Sequence, residues 1–285
     1  MPGTKEITLR SLQFDCRIAG NESDELLILL HGFPETSIMW RPLMEDLAPM
    51  GFYCVAPNMR GYSKNACPKG KKHYSIEKLS QDVLDLAHSL GKTIFHVIAH
   101  DWGSVIGWYL AYHHSSNILS YTALSVPHLK GFFEALQNDA DQQERSKYIK
   151  MLVIPFVAEY SIRKNDFKLF RKLWKHSSEE ELQDYLTTFR EKKVLTAALN
   201  YYRANFGKSR TEDIGDIEVP TLFIWGNKDM AIGAKGVTLG HQHMKGPYTF
   251  LELEAGHWLM QTVYGQMKPS ILKHLAAYKS ISKNI

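Results

Sequence analysis

Cysteine is scarce: Cys16, Cys54 and Cys67 are the only three in 285 residues, an odd number without the paired spacing of a zinc site or disulfide framework. Free thiols in a reducing compartment follow, and a cytoplasmic location is expected. Long apolar runs are also missing. The stretch 26–30 is strand-sized, and residues 1–10 mix charged with isolated apolar side chains, so neither a membrane span nor a signal peptide is expected. No large excess of one charge exists, because 34 lysines and arginines face 30 aspartates and glutamates for a net +4. That balance argues against nucleic acid as a partner. The one short basic cluster considered, 69–73, lacks interleaved aromatics and reads as a solvated loop. Internal repeats and low-complexity tracts are absent as well.

What is present is ample material for a core, with 44% hydrophobic residues. Apolar, β-branched or aromatic runs at 7–12, 26–30, 52–56, 94–98 and 119–126 end in turn residues and read as strands. Between them, Ile76, Leu79, Val83, Leu86 and Leu90 recur at helical spacing before the stop at Gly91. A second helix is expected from just after Asp101 through Tyr112. Buried strands alternating with helices predict an α/β fold, a mostly parallel sheet with helices on both faces. From 130 to 213 the pattern turns to polar helical stretches, for example 164–175 and 179–193, without strands. Strands return at 220–225 and 248–253, followed by a helix over 266–278. The expected organisation is a core of residues 1–129 and 214–285, split by a helical cap over 130–213.

One segment carries unusual chemistry. In Val97-Ile98-Ala99-His100-Asp101-Trp102-Gly103-Ser104 an apolar strand runs into an acid flanked two residues away by Ala99 and Gly103. A nucleophile elbow needs small residues at those two places, because its strand-to-helix turn is sharp. The apex here is Asp101, a carboxylate already ionised at neutral pH, which attacks carbon without help from a base. Ser104 lies beyond the apex, which disfavours a serine esterase.

Two more residues fall where strands end: Asp229 in WGNKD and His257 in EAGHW. Their order after Asp101, nucleophile then acid then histidine, is that of α/β-hydrolases, and open parallel sheets assemble sites at strand C-termini. Each alone has a plainer reading: an N-cap for Asp101, a turn former for Asp229, a turn histidine for His257. Their concurrence favours catalysis. Upstream, residues 26–30 lead into His31-Gly32-Phe33-Pro34-Glu35, a turn able to present a backbone N–H to an oxyanion. The Phe33 and Trp102 N–H groups are the expected donors, and both side chains are expected to line the substrate pocket.

Taken together, HGFPE with Trp40 and Arg41 beyond it, RGY at 60–62, HDWG at 100–103, NKD and GHW make a chain that resembles the epoxide hydrolases of the α/β-hydrolase superfamily, close to the soluble type, over nearly its whole length. The resemblance implies an α/β-hydrolase fold, an aspartate that attacks an epoxide carbon, and two cap tyrosines that hold the epoxide oxygen. It places Tyr148, in YIKMLVIPFVAEY, and Tyr202, in LNYYR, at those positions, with Tyr201 competing by adjacency. Phenols suit this reaction because an opening epoxide leaves as an alkoxide, which needs a proton as its bond breaks. The expected partners are a small-molecule epoxide and water, with no metal, no cofactor and no membrane insertion.

Two other readings stay open. A haloalkane or haloacid dehalogenase uses the same aspartate, histidine and ester, but its halide calls for N–H donors rather than phenols. Trp102 beside the nucleophile fits either, but Glu35 after HGFP and the LNYYR segment favour the epoxide, and a fluoroacetate-type enzyme, by resemblance, is expected to carry arginine where this chain has Trp102. A non-catalytic ligand receptor on the same scaffold is the alternative of another class.

Overall fold

The computed structural model describes residues 2–206 and 214–279. Its first two strands, β1 (Gly3–Leu9) and β2 (Leu12–Ala19), form an antiparallel hairpin where the sequence suggests one strand over 7–12. The chain reverses inside that range at Arg10, with φ 56°. Tight hairpins need such left-handed backbone and usually announce it with Asn, Asp or Gly. Arg10-Ser11 gives no such signal.

Six further strands form at the apolar runs: β3 (Glu25–Leu30), β4 (Phe52–Pro57), β5 (Phe95–His100), β6 (Ile118–Leu124), β7 (Thr221–Gly226) and β8 (Tyr248–Leu253). They complete one eight-stranded sheet in the order β1-β2-β4-β3-β5-β6-β7-β8. All pairs from β4 to β8 are parallel, and β2 is antiparallel to both neighbours.

The strands are apolar throughout because both faces of the sheet are covered. Along β3, Leu26, Ile28 and Leu30 join one cluster while Leu27 and Leu29 join another, as the two-residue period requires. On the second face, α1 (Arg41–Leu47) contributes Leu43, Met44 and Leu47, and α12 (Tyr264–Tyr278) contributes Met267, Ile271 and Leu275. The first face receives Ile76, Leu79, Val83 and Leu86 of α2 (Ile76–Ser89) and Ile106 and Leu110 of α3 (Trp102–His113). Gly91, at φ 71°, follows α2 as expected.

Between β6 and β7 the chain leaves the sheet. α4 (Leu129–Asn138) packs against α10 (Ala234–His241) of the core. The inserted helical region then comprises α5 (Ala140–Arg145), α6 (Lys147–Leu152), α7 (Val157–Leu173), α8 (Glu179–Arg190) and α9 (Lys192–Asn205). The end of the expected cap, 207–213, lies outside the described residues.

Two helices expected there as continuous are broken. Within 164–175, Lys164 is extended and Asn165, Asp166 and Phe167 have positive φ, with Asp166 accepting hydrogen bonds from Arg171 and Arg190. Within 179–193, α8 starts on a Ser178/Glu181 capping box and ends at Arg190, and extended Glu191 separates it from α9. A short α11 (Leu259–Thr262) follows β8. Among the described residues no helix is long and apolar enough to cross a membrane.

Candidate active site

The site lies where β5 gives way to α3. Asp101 has φ 51° and ψ −118°, a backbone conformation that strains any residue with a Cβ. Such a turn demands small neighbours. A Cβ on Gly32 would fall 2.3 Å from the Asp101 Cβ, and one on Gly103 would fall 2.1 Å from the Leu30 carbonyl oxygen. Asp101 occupies the N-cap position of α3, yet its side chain makes no capping bond. Instead Oδ1 accepts the Phe33 N–H at 2.8 Å. The carboxylate is therefore turned away from the helix, with one oxygen held by backbone. Trp102 is the first residue of α3, so its N–H has no carbonyl acceptor within the helix.

The loop that presents Phe33 is itself pinned. His31 Nε2 accepts the Met59 N–H at 3.1 Å and Nδ1 bonds the Gly32 carbonyl at 3.0 Å. Burial pushes this imidazole down to about 4, so it stays neutral and serves as a fixed donor and acceptor.

His257, after β8, points Nε2 at Asp101 Oδ2, 3.5 Å away. Its Nδ1 faces Asp229, after β7, at 2.8 Å from Oδ2 and 3.0 Å from Oδ1. Asp229 Oδ1 also accepts the N–H groups of Ala231 and Ile232, and the Arg145 guanidinium bonds its carbonyl. Burial opposes charge on His257, but the Asp229 charge and hydrogen bonds to Asp101 and Asp229 outweigh it and lift the imidazole from 6.5 to about 10. For Asp101 and Asp229 burial likewise acts to raise the pKa. The interaction with His257 overrides it and holds both below the usual range. The resting charges are thus carboxylate, imidazolium, carboxylate.

Tyr148 of α6 and Tyr202 of α9 face this group from the insertion, their rings 6.4 Å apart. Tyr202 is buried, edge-on to Phe33 and Trp102 and stacked on Phe206. Its neighbour Tyr201 turns the other way and donates its hydroxyl to the Arg60 carbonyl at 2.6 Å, so of the adjacent pair Tyr202 is the one that lines the cavities beside Asp101. Tyr148 is 40% exposed, but its hydroxyl end is desolvated. Burial raises both phenols well above the ordinary value, helped by the Asp101 charge at Tyr148 and by Tyr148 and then Asp101 at Tyr202. Both therefore remain protonated donors.

Two apolar cavities meet at Asp101, Tyr148 and Tyr202. One runs between α3 and the α4 side, past Val105, Leu129, Phe132 and Phe206. The other runs under α7, past Phe33, Ile162, Leu169 and Trp258. Trp102 lines the first cavity and Phe33 the second.

Two features went unread in the sequence. Ser125, at the end of β6 with φ 73°, donates its hydroxyl to Asp229 Oδ2 at 2.6 Å and lies 2.8 Å from His257 Nδ1. Beneath His257, His100 Nε2 bonds the His257 carbonyl at 3.0 Å while its Nδ1 lies 3.2 Å from Glu35 Oε2. Glu35 is held in turn by Gln261 at 2.7 Å. The signal for Ser125 was its place, a polar residue ending an apolar strand. Among the described residues no cluster of three or more His, Cys, Asp or Glu side chains is placed to hold a metal.

Residues 25–261 match the sequence model of the alpha/beta hydrolase fold, and the chain belongs to that family. It is 30% identical over 263 residues to the AB hydrolase superfamily protein YfhM of Bacillus subtilis, covering 90% of each chain. It is 29% identical over 262 residues to Epoxide hydrolase 3 of Xenopus tropicalis, covering 88% of this chain and 71% of that one. Among solved structures, a Bacillus megaterium epoxide hydrolase in complex with an inhibitor superposes with a TM-score of 0.87 at 25% identity, over 95% of this chain and 100% of the other. Distant relatives across most of the chain are therefore epoxide hydrolases.

Proposed function

We propose that this protein is an epoxide hydrolase converting an apolar organic epoxide to a vicinal diol through an ester on Asp101. In this reading 130–213 is the cap over a core of 1–129 and 214–285, with α4 as the seam. The observation that carries it is a carboxylate with Oδ1 held by backbone and Oδ2 turned toward His257, facing two protonated phenols across apolar cavities.

Asp101 Oδ2 attacks an epoxide carbon, the C–O bond breaks, and the departing oxygen takes a proton from Tyr202 or Tyr148. The products are a hydroxyalkyl ester and a phenolate. Esterification removes the Asp101 charge, one of the groups that keeps His257 protonated, so the imidazolium loses the proton that restores the phenol. Neutral His257, oriented by Asp229, then takes a proton from water as the hydroxide attacks the ester carbon. The Phe33 and Trp102 N–H groups hold the oxyanion on Oδ1. Collapse returns the carboxylate, the imidazolium and the diol.

His257→Gln tests the scheme directly. The variant should react once and stall, gaining one substrate mass in intact-protein mass spectrometry. An unmodified variant, under conditions where wild type turns over, would overturn the scheme. Dehalogenation is the weaker reading, because two phenols line the cavities beside Asp101 whereas a single indole, that of Trp102, adjoins it in the chain. Parallel assays for diol and released halide separate the two. Three free thiols, two of them buried, fit a cytoplasmic setting.

A further inference from the structure

The cap presents a surface whose chemistry differs from the rest of the molecule. Around the α6–α7 corner, Phe156 is 86% exposed and Tyr160 69%, and Ile154 and Val157 are close to half exposed. Val157, Tyr160 and Lys164 follow one another at helical spacing, as do Lys168, Lys172 and Lys175. Of the chain's 34 basic and 30 acidic residues, eight and two fall between 147 and 175, leaving a slight acidic excess everywhere else. Six of the eight are lysines, and all six are exposed. The two acids, Glu159 and Asp166, are already committed to Arg203 and to Arg171 with Arg190.

Exposed aromatic and aliphatic side chains set among cations of one sign match an anionic interface with an apolar interior. They do not match a second copy of this chain, since a two-fold contact through this face would press two basic surfaces together. The patch also continues into the site. Leu169, between Lys168 and the rest of α7, and Met230 across from it are both exposed, and both line the second cavity. That cavity therefore reaches solvent beside a residue next to Lys168 in the chain.

We propose that the α6–α7 surface docks reversibly on bilayers containing anionic lipid, seating Phe156 and Tyr160 among the headgroups with the cavity mouth facing the membrane. Delivery of a membrane-dissolved epoxide to Asp101 rests on the function proposed above. The docking itself does not.

The test is co-sedimentation of the full chain with phosphatidylcholine vesicles, with and without phosphatidylglycerol, in the absence of any epoxide. Binding is expected only with phosphatidylglycerol and should weaken as salt rises. Lys168→Glu with Lys172→Glu should weaken it at least ~25-fold, about fivefold for each cation lost. Phe156→Ser with Tyr160→Ser should weaken binding at low salt as well, and unchanged melting shows that the variants fold. Absence of wild-type binding at low salt, or lysine variants that bind like wild type, would overturn the proposal. So would self-association abolished by the Phe156 and Tyr160 changes, which would assign the face to a second copy. Loss of diol formation with binding intact would instead reject the epoxide reading alone.

Discussion

The core supplies its half of the site from strand ends, whereas the insertion supplies its half from helix faces. Asp101, Ser125, Asp229 and His257 each follow a different parallel strand, and their positions are set by sheet register and by backbone hydrogen bonds such as Phe33 N–H to Asp101. Tyr148 and Tyr202 depend on how α6 and α9 lie over that sheet. That placement is secured by separate clamps: the Trp174 indole on the Pro34 carbonyl, Asp184 on Thr36 and Arg17, and Asn205 on Tyr74 and Ile76. A strand end moves only if the sheet moves, while a helix face shifts when a few side chains change. Under the proposed function, bond formation would sit on the rigid half and the choice of substrate on the adjustable one.

Mutations on the two halves should separate by size. Asp101→Ala removes the attacking group and should cut diol formation by about ten-thousand-fold or more in a product assay, with the fold intact by circular dichroism. Tyr202→Phe keeps the ring packing and loses only the hydroxyl, so kcat should fall about 10²- to 10³-fold. An equal loss in Tyr201→Phe would erase the distinction between the two tyrosines, since the Tyr201 hydroxyl is spent on the Arg60 carbonyl. Trp174→Phe tests the clamp rather than the chemistry. Leaving the buried Pro34 carbonyl unpaired should destabilise the protein by about 1–3 kcal/mol in denaturant unfolding, with little change in kcat.

The smallest effects concern the polar support of His257. Ser125→Ala should slow turnover about tenfold or less and alter its pH profile, because the hydroxyl touches both Asp229 and His257. A raised imidazole pKa means that folding favours the protonated form. Its stabilising contribution is therefore complete below pH 6.5 and disappears as pH rises toward about 10. Asp101→Asn removes part of the cause, so the His257 resonance should titrate at lower pH by NMR and the alkaline loss of stability should shrink. An unchanged titration would show that Asp229 alone holds the proton.

How much of this was legible depends on how local the cause is. The elbow was readable because Asp101, Ala99 and Gly103 obey a steric rule spanning five residues, and Asp229 and His257 because each ends an apolar run. The β1–β2 hairpin was not, since Arg10 takes left-handed backbone without a residue that favours it. The break at 164–167 did carry a local signal in Asn165-Asp166, both tolerant of left-handed backbone, but one of the arginines that hold Asp166, Arg190, comes from the next helix. Ser125 looked like an ordinary strand-end serine until β7 and β8 brought Asp229 and His257 to it.

Sequence by itself determined the class of fold, the carboxylate at the elbow and the order of the groups that serve it, because strand period and turn sterics act between near neighbours. Tertiary structure decided the rest. Only the packing of α9 on the core distinguishes Tyr202 from Tyr201. Only long-range hydrogen bonds turn Asp101 away from its helix, and only the convergence of three charged groups raises His257, since fields and contacts depend on distance in space and not along the chain.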